Sequence, residues 1–261
     1  MDLRCYQIDA FTEKVFGGNP ACVIPLPHWL PDSLLLQIAK ENAVPETAFF
    51  INQDQKIQLR WFTPDLEMDL CGHATLAAAH VLFTHENYPG NLVLFESQSG
   101  KLKVTKDQDT YFLTLPLRIP IPAKLPEILE EALSIKPKAV LKSRDYVLVY
   151  DSESEVRNIG IDRVKFDRIN LNTGGVVVTA PGTTCDFVSR FFTPQSTIFE
   201  DPVTGSAHCS LIPYWAAQLQ KTNLEAYQLS DRFGTLYCQL GLDHVIVGGK
   251  ARTYSFGTVR I

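Results

Sequence analysis

Glu46 is the acidic side chain whose sequence context best suits proton transfer. It follows Pro45 and precedes the apolar segment Thr-Ala-Phe-Phe-Ile at residues 47–51, which is typical of a buried strand. A carboxylate at the mouth of such a strand is partly desolvated, and this suits a group that removes a proton and returns it. A solvated strand-end glutamate would have no chemical role, so Glu46 alone does not define a site.

Three further polar side chains lie near two glycines that each precede an apolar segment. His73 follows Gly72, Ser206 follows Gly205, and Asp201 lies a few residues before Gly205. These side chains could hydrogen-bond a polar substrate. Because a helix start carries partial positive charge, we expect the ring of His73 to be neutral and to donate a hydrogen bond. Capping and turn roles for these residues remain open at this point.

The two glycines are candidate binding residues themselves. The first backbone N–H groups of a helix are unpaired and carry partial positive charge, and glycine lets a ligand approach the backbone closely. We therefore expect the amides at Gly72 and Gly205 to bind a carboxylate or a developing negative charge. The alternative is that each glycine only begins a tightly packed helix.

Cys71 precedes the first of these helices, where a thiolate would be stabilised, and its counterpart in the second half is Thr204. We expect both to line the substrate site. A racemase with two thiols needs an acid on one face of the carbon and a base on the other, so the threonine argues against that mechanism. The six cysteines form no Cys-x-x-Cys pair, and we expect free thiols and no metal.

The elements that must position these residues are repeated along the chain. Arg-Trp-Phe-Thr-Pro at residues 60–64 recurs as Arg-Phe-Phe-Thr-Pro at residues 190–194. Cys-Gly-His-Ala at residues 71–74 recurs as Thr-Gly-Ser-Ala at residues 204–207. The offsets are 130 and 133 residues in a chain of 261, which indicates two similar lobes with a site built asymmetrically between them.

Two further matches extend the repeat. Residues 100–104 match residues 234–238 at an offset of 134, and the segment that begins with Glu46 has a looser counterpart beginning at Gly175, at an offset of 129. The predicted base therefore has glycine as its counterpart. We expect a single base.

The repeat predicts the fold class. Residues 74–83 are apolar on nearly every face, and residues 207–219 repeat this pattern apart from Pro213, which should kink the helix or shift its start. Short β-branched or aromatic segments, among them residues 244–247 and 251–259, predict strands around both. We expect an α+β fold of two pseudo-symmetric lobes, each a β-barrel-like curved sheet wrapped around a central helix.

The lobe boundary and the compartment follow from composition. Four prolines within residues 116–126 suit an extended connector, so we place the N-terminal lobe at residues 1–118 and the C-terminal lobe at residues 119–261. A formal charge of −5 without a long basic tract argues against nucleic acid or acidic membranes as partners. No signal sequence and no bilayer-length apolar segment is evident, and we expect a cytoplasmic protein.

These motifs together resemble those of the PhzF-like phenazine-biosynthesis isomerase family, whose fold is shared with diaminopimelate epimerase. The matching segments cover both lobes: residues 9–12, 16–21, 46–49, 60–64, 70–75 and 200–207. The resemblance implies a cleft between two lobes, usually in a homodimer, and proton-transfer chemistry without a cofactor or metal. The characterised family member shifts a proton in trans-2,3-dihydro-3-hydroxyanthranilate.

The sequence therefore predicts a cofactor-independent isomerase that moves a proton within a small unsaturated or cyclic carboxylic acid. The resemblance implies Glu46 as general base, with supporting polar groups at His73, Asp201 and Ser206. One alternative is a 1,1-proton-transfer epimerase or racemase in which Cys71 works with Glu46. Another is a non-catalytic family member that binds a small molecule or a protein, against which the retained polar set argues.

Overall fold

The chain folds into two compact units in the computed structural model, which describes residues 1–53 and 56–261. The first unit contains Met1–Leu115 and Val247–Ile261, and the second contains Pro116–Ile246. Among the described residues, no helix is both long and apolar enough to span a bilayer.

The first unit is a sheet wrapped around one buried helix. Its strands are Asp2–Ala10 (β1), Asn19–Pro25 (β2), Glu46–Gln53 (β3), Lys56–Phe62 (β4), Glu67–Met68 (β5), Leu92–Ser97 (β6), Gly100–Asp107 (β7) and Thr110–Pro116 (β8). Its helices are Asp32–Asn42 (α1) and Gly72–Thr84 (α2). Helix α2 packs against β1, β2 and β3 and buries eleven of its thirteen residues, because its small and apolar side chains leave no polar face.

The second unit repeats this arrangement. Its strands are Ile121–Pro122 (β9), Ala139–Lys142 (β10), Tyr146–Val149 (β11), Val176–Pro181 (β12), Phe187–Phe192 (β13), Glu200–Asp201 (β14), Asn223–Gln228 (β15) and Gly234–Leu240 (β16). The long strand His244–Arg260 (β17) begins in this unit and belongs to the first unit from Val247 onward. Its helices are Glu127–Ala132 (α3), Glu153–Asn158 (α4), Arg163–Phe166 (α5) and His208–Leu219 (α6), the last preceded by the 3₁₀ turn Gly205–Ala207. Helix α6 packs against β15 and β16.

Strand pairing confirms the predicted α+β fold and its internal repeat. In the first unit β2 and β3 are parallel, β3 and β4 antiparallel, β4 and β5 antiparallel, β4 and β6 parallel, and β6 and β7 antiparallel. In the second unit β11 to β16 pair in the same order with the same orientations. Helices α2 and α6 follow equivalent strands, β5 and β14, in the chain order of the two units.

The repeated arginine explains why the Arg-x-Phe-Thr-Pro motif recurs. Arg60 binds Glu67 through Nε and Nη2, both at 2.7 Å, and Arg190 binds Glu200 in the same way at 2.7 and 2.8 Å. Each guanidinium also lies over the phenylalanine two residues later in its strand, 5.1 and 4.9 Å from the ring centroid. Within each unit, the bidentate pair joins two neighbouring strands, β4 to β5 in the first unit and β13 to β14 in the second.

The C-terminal residues pack differently from the predicted division at residues 118 and 119. The predicted strands at residues 244–247 and 251–259 form one strand, β17. Its C-terminal part pairs antiparallel with β1, from Asp2 opposite Arg260 to Ala10 opposite Ala251, and Val247–Ile261 therefore group with the first unit. A pairing between the two ends of a chain leaves no local signal in the sequence.

Pro213 lies inside α6, which the structure accommodates without ending the helix. A proline lacks the N–H that would bind the carbonyl oxygen four residues earlier, here that of Cys209. The backbone N–H of Arg118 donates to this carbonyl oxygen at 3.1 Å. The segment at the start of the second unit thus satisfies the acceptor that the proline releases.

Candidate functional site

The predicted base lies at the start of β3 in the first unit. Glu46 stands opposite Ala21 on β2, and 13% of its side chain is exposed. The five residues that follow it are buried, as the sequence pattern predicted. The carboxylate therefore borders an apolar strand and keeps some access to its surroundings.

His73 contacts Glu46 from the first turn of α2. Its side chain is 2% exposed, and its Nε2 lies 3.1 Å from Oε2 of Glu46. Neither of these two buried atoms has a partner in good hydrogen-bond geometry among the described residues, so both can turn to a ligand. Nδ1 of His73 lies 3.0 Å from Nδ2 of Asn19, a fully buried residue at the start of β2.

The charge of His73 differs from the sequence-based expectation. Burial alone lowers the pKa of this ring, but the interactions with Cys71 and Glu46 outweigh burial and hold the pKa well above its ordinary value. The direction of this shift is opposite to the one expected from the helix start, an inference that did not consider a carboxylate at 3.1 Å. A protonated His73 can donate through Nε2 to Glu46 or to a ligand oxygen.

Cys71 joins this pair. Its Sγ lies 3.6 Å from Nδ1 of His73, and one donor atom from each of Glu46, Cys71 and His73 lies within 4.8 Å of the others. Burial, together with the Glu46 charge, raises the pKa of Cys71 to about 11 and outweighs the stabilisation that a helix start would give a thiolate, so the thiol is protonated at neutral pH. These three side chains could hold a metal ion, which would bind the thiolate and the neutral imidazole.

Cys71→Ser should leave most activity intact, because a buried, protonated thiol cannot serve as a base at neutral pH. The measurement is turnover of an identified substrate, with Cys185→Ser in the second unit as the matched control. A loss of about a thousandfold in Cys71→Ser alone, comparable to deletion of a general base, would favour the epimerase alternative.

In the second unit, Thr204 precedes the helical segment at the place equivalent to Cys71. Its Oγ1 donates to Oδ2 of Asp201 at 2.6 Å, and its N–H donates to Oε1 of Gln228 at 2.8 Å. Nε2 of Gln228 donates in turn to the carbonyl oxygen of Asp201 at 2.8 Å. The structure thus brings the predicted residues Asp201 and Thr204 together and adds Gln228, which braces the turn between them.

Ser206 is held by a residue that the sequence patterns did not single out. Nη2 of Arg144 donates to Oγ of Ser206 at 3.1 Å. The same guanidinium contacts both carboxylate oxygens of Asp145, with Nε at 3.2 Å from Oδ1 and Nη2 at 3.3 Å from Oδ2. Asp145 is 2% exposed, and its Oδ1 also accepts the N–H of Gly175 at 2.9 Å.

The strand registers make Gly175 the structural equivalent of Glu46, as the repeat predicted. A Cβ atom on Gly175 would lie 2.4 Å from Cζ of Phe191 and 2.8 Å from the carbonyl oxygen of Phe192. A close-packed interior does not accept such contacts without displacement of the ring or the strand. The second unit therefore has no room for a second carboxylate at this place.

Gly72 and Gly205 each begin a helical segment and are buried, as the repeat predicted. The first N–H groups of a helix lack intrahelical acceptors. The role of these amides in binding negative charge stays a prediction, as does the shared cleft onto which both helix starts were expected to open.

His208 stands at the start of α6 and titrates outside the ordinary range. Its Nδ1 lies 2.9 Å from the carbonyl oxygen of Thr204, which can only accept, so Nδ1 carries the proton. Nε2 is buried without a hydrogen-bond partner among the described residues. Burial lowers the pKa of His208 to about 4.

The protein should lose stability in acid through His208. The ring of His208 is neutral in the folded state down to a pH of about 4, whereas in the unfolded chain it has its ordinary pKa of 6.5. Between these two values the unfolded chain therefore binds one proton more than the folded chain. This contribution is present above pH 6.5 and is lost as the pH falls to about 4, at a cost of roughly 3 kcal/mol. Urea unfolding across this window should show a shallower fall in His208→Gln, with exposed His28→Gln as the control; equal slopes in all three proteins would contradict the assignment.

Sequence reasoning missed the residues that support the helix starts. Asn19 lies within the motif at residues 16–21 but carried no predicted role, and Arg144 and Asp145 lie outside every repeated motif. The available signal was positional, because Asn19 begins the strand that pairs with the base strand and Arg144 lies just before the equivalent strand of the second unit. Their contacts with residues on the central helix segments required the folded chain.

The fold and this site define an α+β protein of two repeated units with a buried pair of carboxylate and imidazole. A family model described as phenazine biosynthesis-like protein matches residues 8–257. The chain belongs to this family, which confirms the resemblance found in the sequence.

Relatives of this chain extend over its whole length. An uncharacterized isomerase of Pseudomonas aeruginosa is 45% identical and is covered over 100% of both chains. The crystal structure of a PhzF-family phenazine biosynthesis protein from Enterococcus faecalis matches with a TM-score of 0.94 and 44% identity, over 100% of both chains. A predicted epimerase from Pseudomonas aeruginosa shares the fold alone, with a TM-score of 0.75 and 18% identity over 98% of this chain and 99% of the other.

Proposed function

We propose that this protein is a cofactor-independent isomerase in which Glu46 takes a proton from carbon next to an unsaturated system and returns it elsewhere on the same molecule. The observation that carries the proposal is the contact of 3.1 Å between Glu46 Oε2 and His73 Nε2, two buried atoms without a well-aligned partner among the described residues. A carboxylate beside a positively charged donor is a pair suited to proton transfer.

His73 and Glu46 have complementary parts in this proposal. The raised pKa of His73 keeps the imidazolium in place while the carboxylate is free to accept a proton. When Glu46 takes the proton, the neighbouring imidazolium can donate to the substrate oxygen on which negative charge develops. Asp201 and Ser206 hold polar groups of the substrate, and the amides at Gly72 and Gly205 bind its carboxylate or the developing charge.

The proposed substrate is a small unsaturated or cyclic carboxylic acid. The chain's membership of the phenazine biosynthesis-like family and its 45% identity to a protein named an isomerase support an isomerisation. The epimerase alternative needs a reactive Cys71, which the pKa of about 11 disfavours, and a second group at Thr204, whose hydroxyl binds Asp201. The non-catalytic alternative is left to experiment.

Solvent exchange tests this function even before the product is identified. A panel of cyclic and open-chain unsaturated carboxylic acids is incubated with the protein in deuterium oxide, and loss of C–H signals is followed by proton NMR. We expect at least one acid to exchange a proton next to its double bond, and the exchange to disappear in Glu46→Gln. Exchange of none would favour the non-catalytic alternative, and equal exchange with the variant would remove Glu46 as the base.

A further inference from the structure

The hydroxyl of Ser206 has a defined hydrogen-bond polarity. Its Oγ accepts from Nη2 of Arg144, and a guanidinium has donors and no acceptor. One lone pair of Ser206 is therefore occupied, and the hydroxyl proton points away from Arg144. At 7% exposure the side chain has little contact with bulk water, so its O–H group can serve as a donor to a ligand.

Arg144 is held in turn by a chain of contacts that ends at the place equivalent to the base. Asp145 binds both Nε and Nη2 of Arg144 and also accepts the N–H of Gly175. Only 16% of the Arg144 side chain is exposed. The carboxylate of Asp145 both fixes the guanidinium in place and neutralises its charge. In the second unit, Gly175, which stands where the first unit has Glu46, thus helps to hold Asp145 and Arg144, and Arg144 orients the hydroxyl of Ser206.

The first unit supports its helix start in a comparable way. There Asn19, the first residue of the strand that pairs with the base strand, contacts Nδ1 of His73 at 3.0 Å. His73 and Ser206 occupy equivalent places after Gly72 and Gly205. In each unit a polar residue at or just before the start of the equivalent strand therefore contacts the polar side chain at the helix start.

We propose that Arg144 is a positioning residue that holds Ser206 as a hydrogen-bond donor, so that the ligand group opposite Ser206 is an acceptor-only oxyanion, a carboxylate. This assignment rests on the proposed function, since it takes Ser206 to contact the substrate. It makes Arg144 act through Ser206 and not through direct contact with the ligand. An amidinium of the same shape has only donors and leaves the hydroxyl proton of Ser206 without an acceptor.

Benzoate and benzamidine, which have the same shape and opposite hydrogen-bond polarity, are the probes. Binding is measured by titration calorimetry for the wild type, Arg144→Met, Arg144→Lys, Ser206→Ala and the Arg144→Met/Ser206→Ala double variant. Arg157→Met, which removes an exposed arginine bound to Glu153, is the matched control. Thermal unfolding of each variant shows whether it is folded.

We expect benzoate to bind and benzamidine not to bind. Arg144→Met and Ser206→Ala should each weaken benzoate binding on the order of tenfold, with no further loss in the double variant. Arg144→Lys, which keeps one donor for Ser206, should restore part of the affinity even if Arg144→Met fails to fold. Additive losses, tighter binding of benzamidine or absence of benzoate binding would overturn the assignment.

The same titration in Glu46→Gln separates this inference from the proposed function. Glu46→Gln should bind benzoate as the wild type does, because it leaves the second unit unchanged. The losses of benzoate affinity in Arg144→Met, Ser206→Ala and the double variant form a thermodynamic cycle. If this cycle is non-additive while no acid exchanges protons in deuterium oxide, the isomerase proposal fails and the carboxylate assignment stands. If exchange depends on Glu46 and the cycle is additive, only the role of Arg144 fails.

Discussion

Glu46→Gln should slow proton transfer on an identified substrate by on the order of a hundredfold or more while ligand affinity stays nearly unchanged. The amide keeps the shape of the carboxylate and can still accept a hydrogen bond from His73, but it cannot take a proton from carbon. The measurement is kcat from turnover, together with the dissociation constant from calorimetry.

Glu41→Gln, at an exposed glutamate near the end of α1, is the control for this substitution. It should leave both constants at their wild-type values. Unchanged turnover in Glu46→Gln would remove this residue as the base. A parallel loss of affinity and turnover would indicate a binding role instead.

Gly175→Ala should lower the free energy of unfolding by about 3 kcal/mol, a large effect for the addition of one methyl group. The added Cβ would meet Phe191 Cζ at 2.4 Å and the carbonyl oxygen of Phe192 at 2.8 Å, so a ring and a strand must both move. Equilibrium unfolding in urea measures the change.

Gly160→Ala provides the comparison for Gly175→Ala. Its Cβ would have Ser134 Oγ as its nearest neighbour at 3.5 Å, an ordinary contact, and the expected change is within about 0.5 kcal/mol. If Gly175→Ala were as stable as Gly160→Ala, packing would not explain why the second unit lacks a carboxylate at this place.

The sequence predicted the repeat because its framework residues serve the same contacts in both units. The arginines of the two Arg-x-Phe motifs bind equivalent glutamates, and the all-apolar segment after Gly72 became the buried helix α2. The grouping of His73 and Cys71 was local, since both lie at one helix start. The family resemblance implied that His73 acts together with Glu46. In the structure β3 pairs with β2, and Glu46 at the start of β3 lies 3.1 Å from His73.

Other features depend on contacts between distant parts of the chain. The pairing of β17 with β1 joins the two chain ends, and the bonds from Arg144 to Ser206 and Asp145 depend on the loop before β11. The protonation states of His73 and Cys71 could not be predicted from a helix start, because each depends on burial and on the nearby carboxylate. Electrostatics of this kind requires distances.

Transfer of an isotope label within one substrate molecule tests the central claim that one carboxylate moves the proton. A substrate deuterated at the donor carbon is converted in ordinary water in a single turnover, and the product is analysed by mass spectrometry and NMR. Because Glu46 is largely buried, we expect part of the deuterium to appear at the new position in the product, and Glu46→Gln to form almost no product. Complete loss of the label to solvent within one turnover, with product formed at the wild-type rate in Glu46→Gln, would contradict the account.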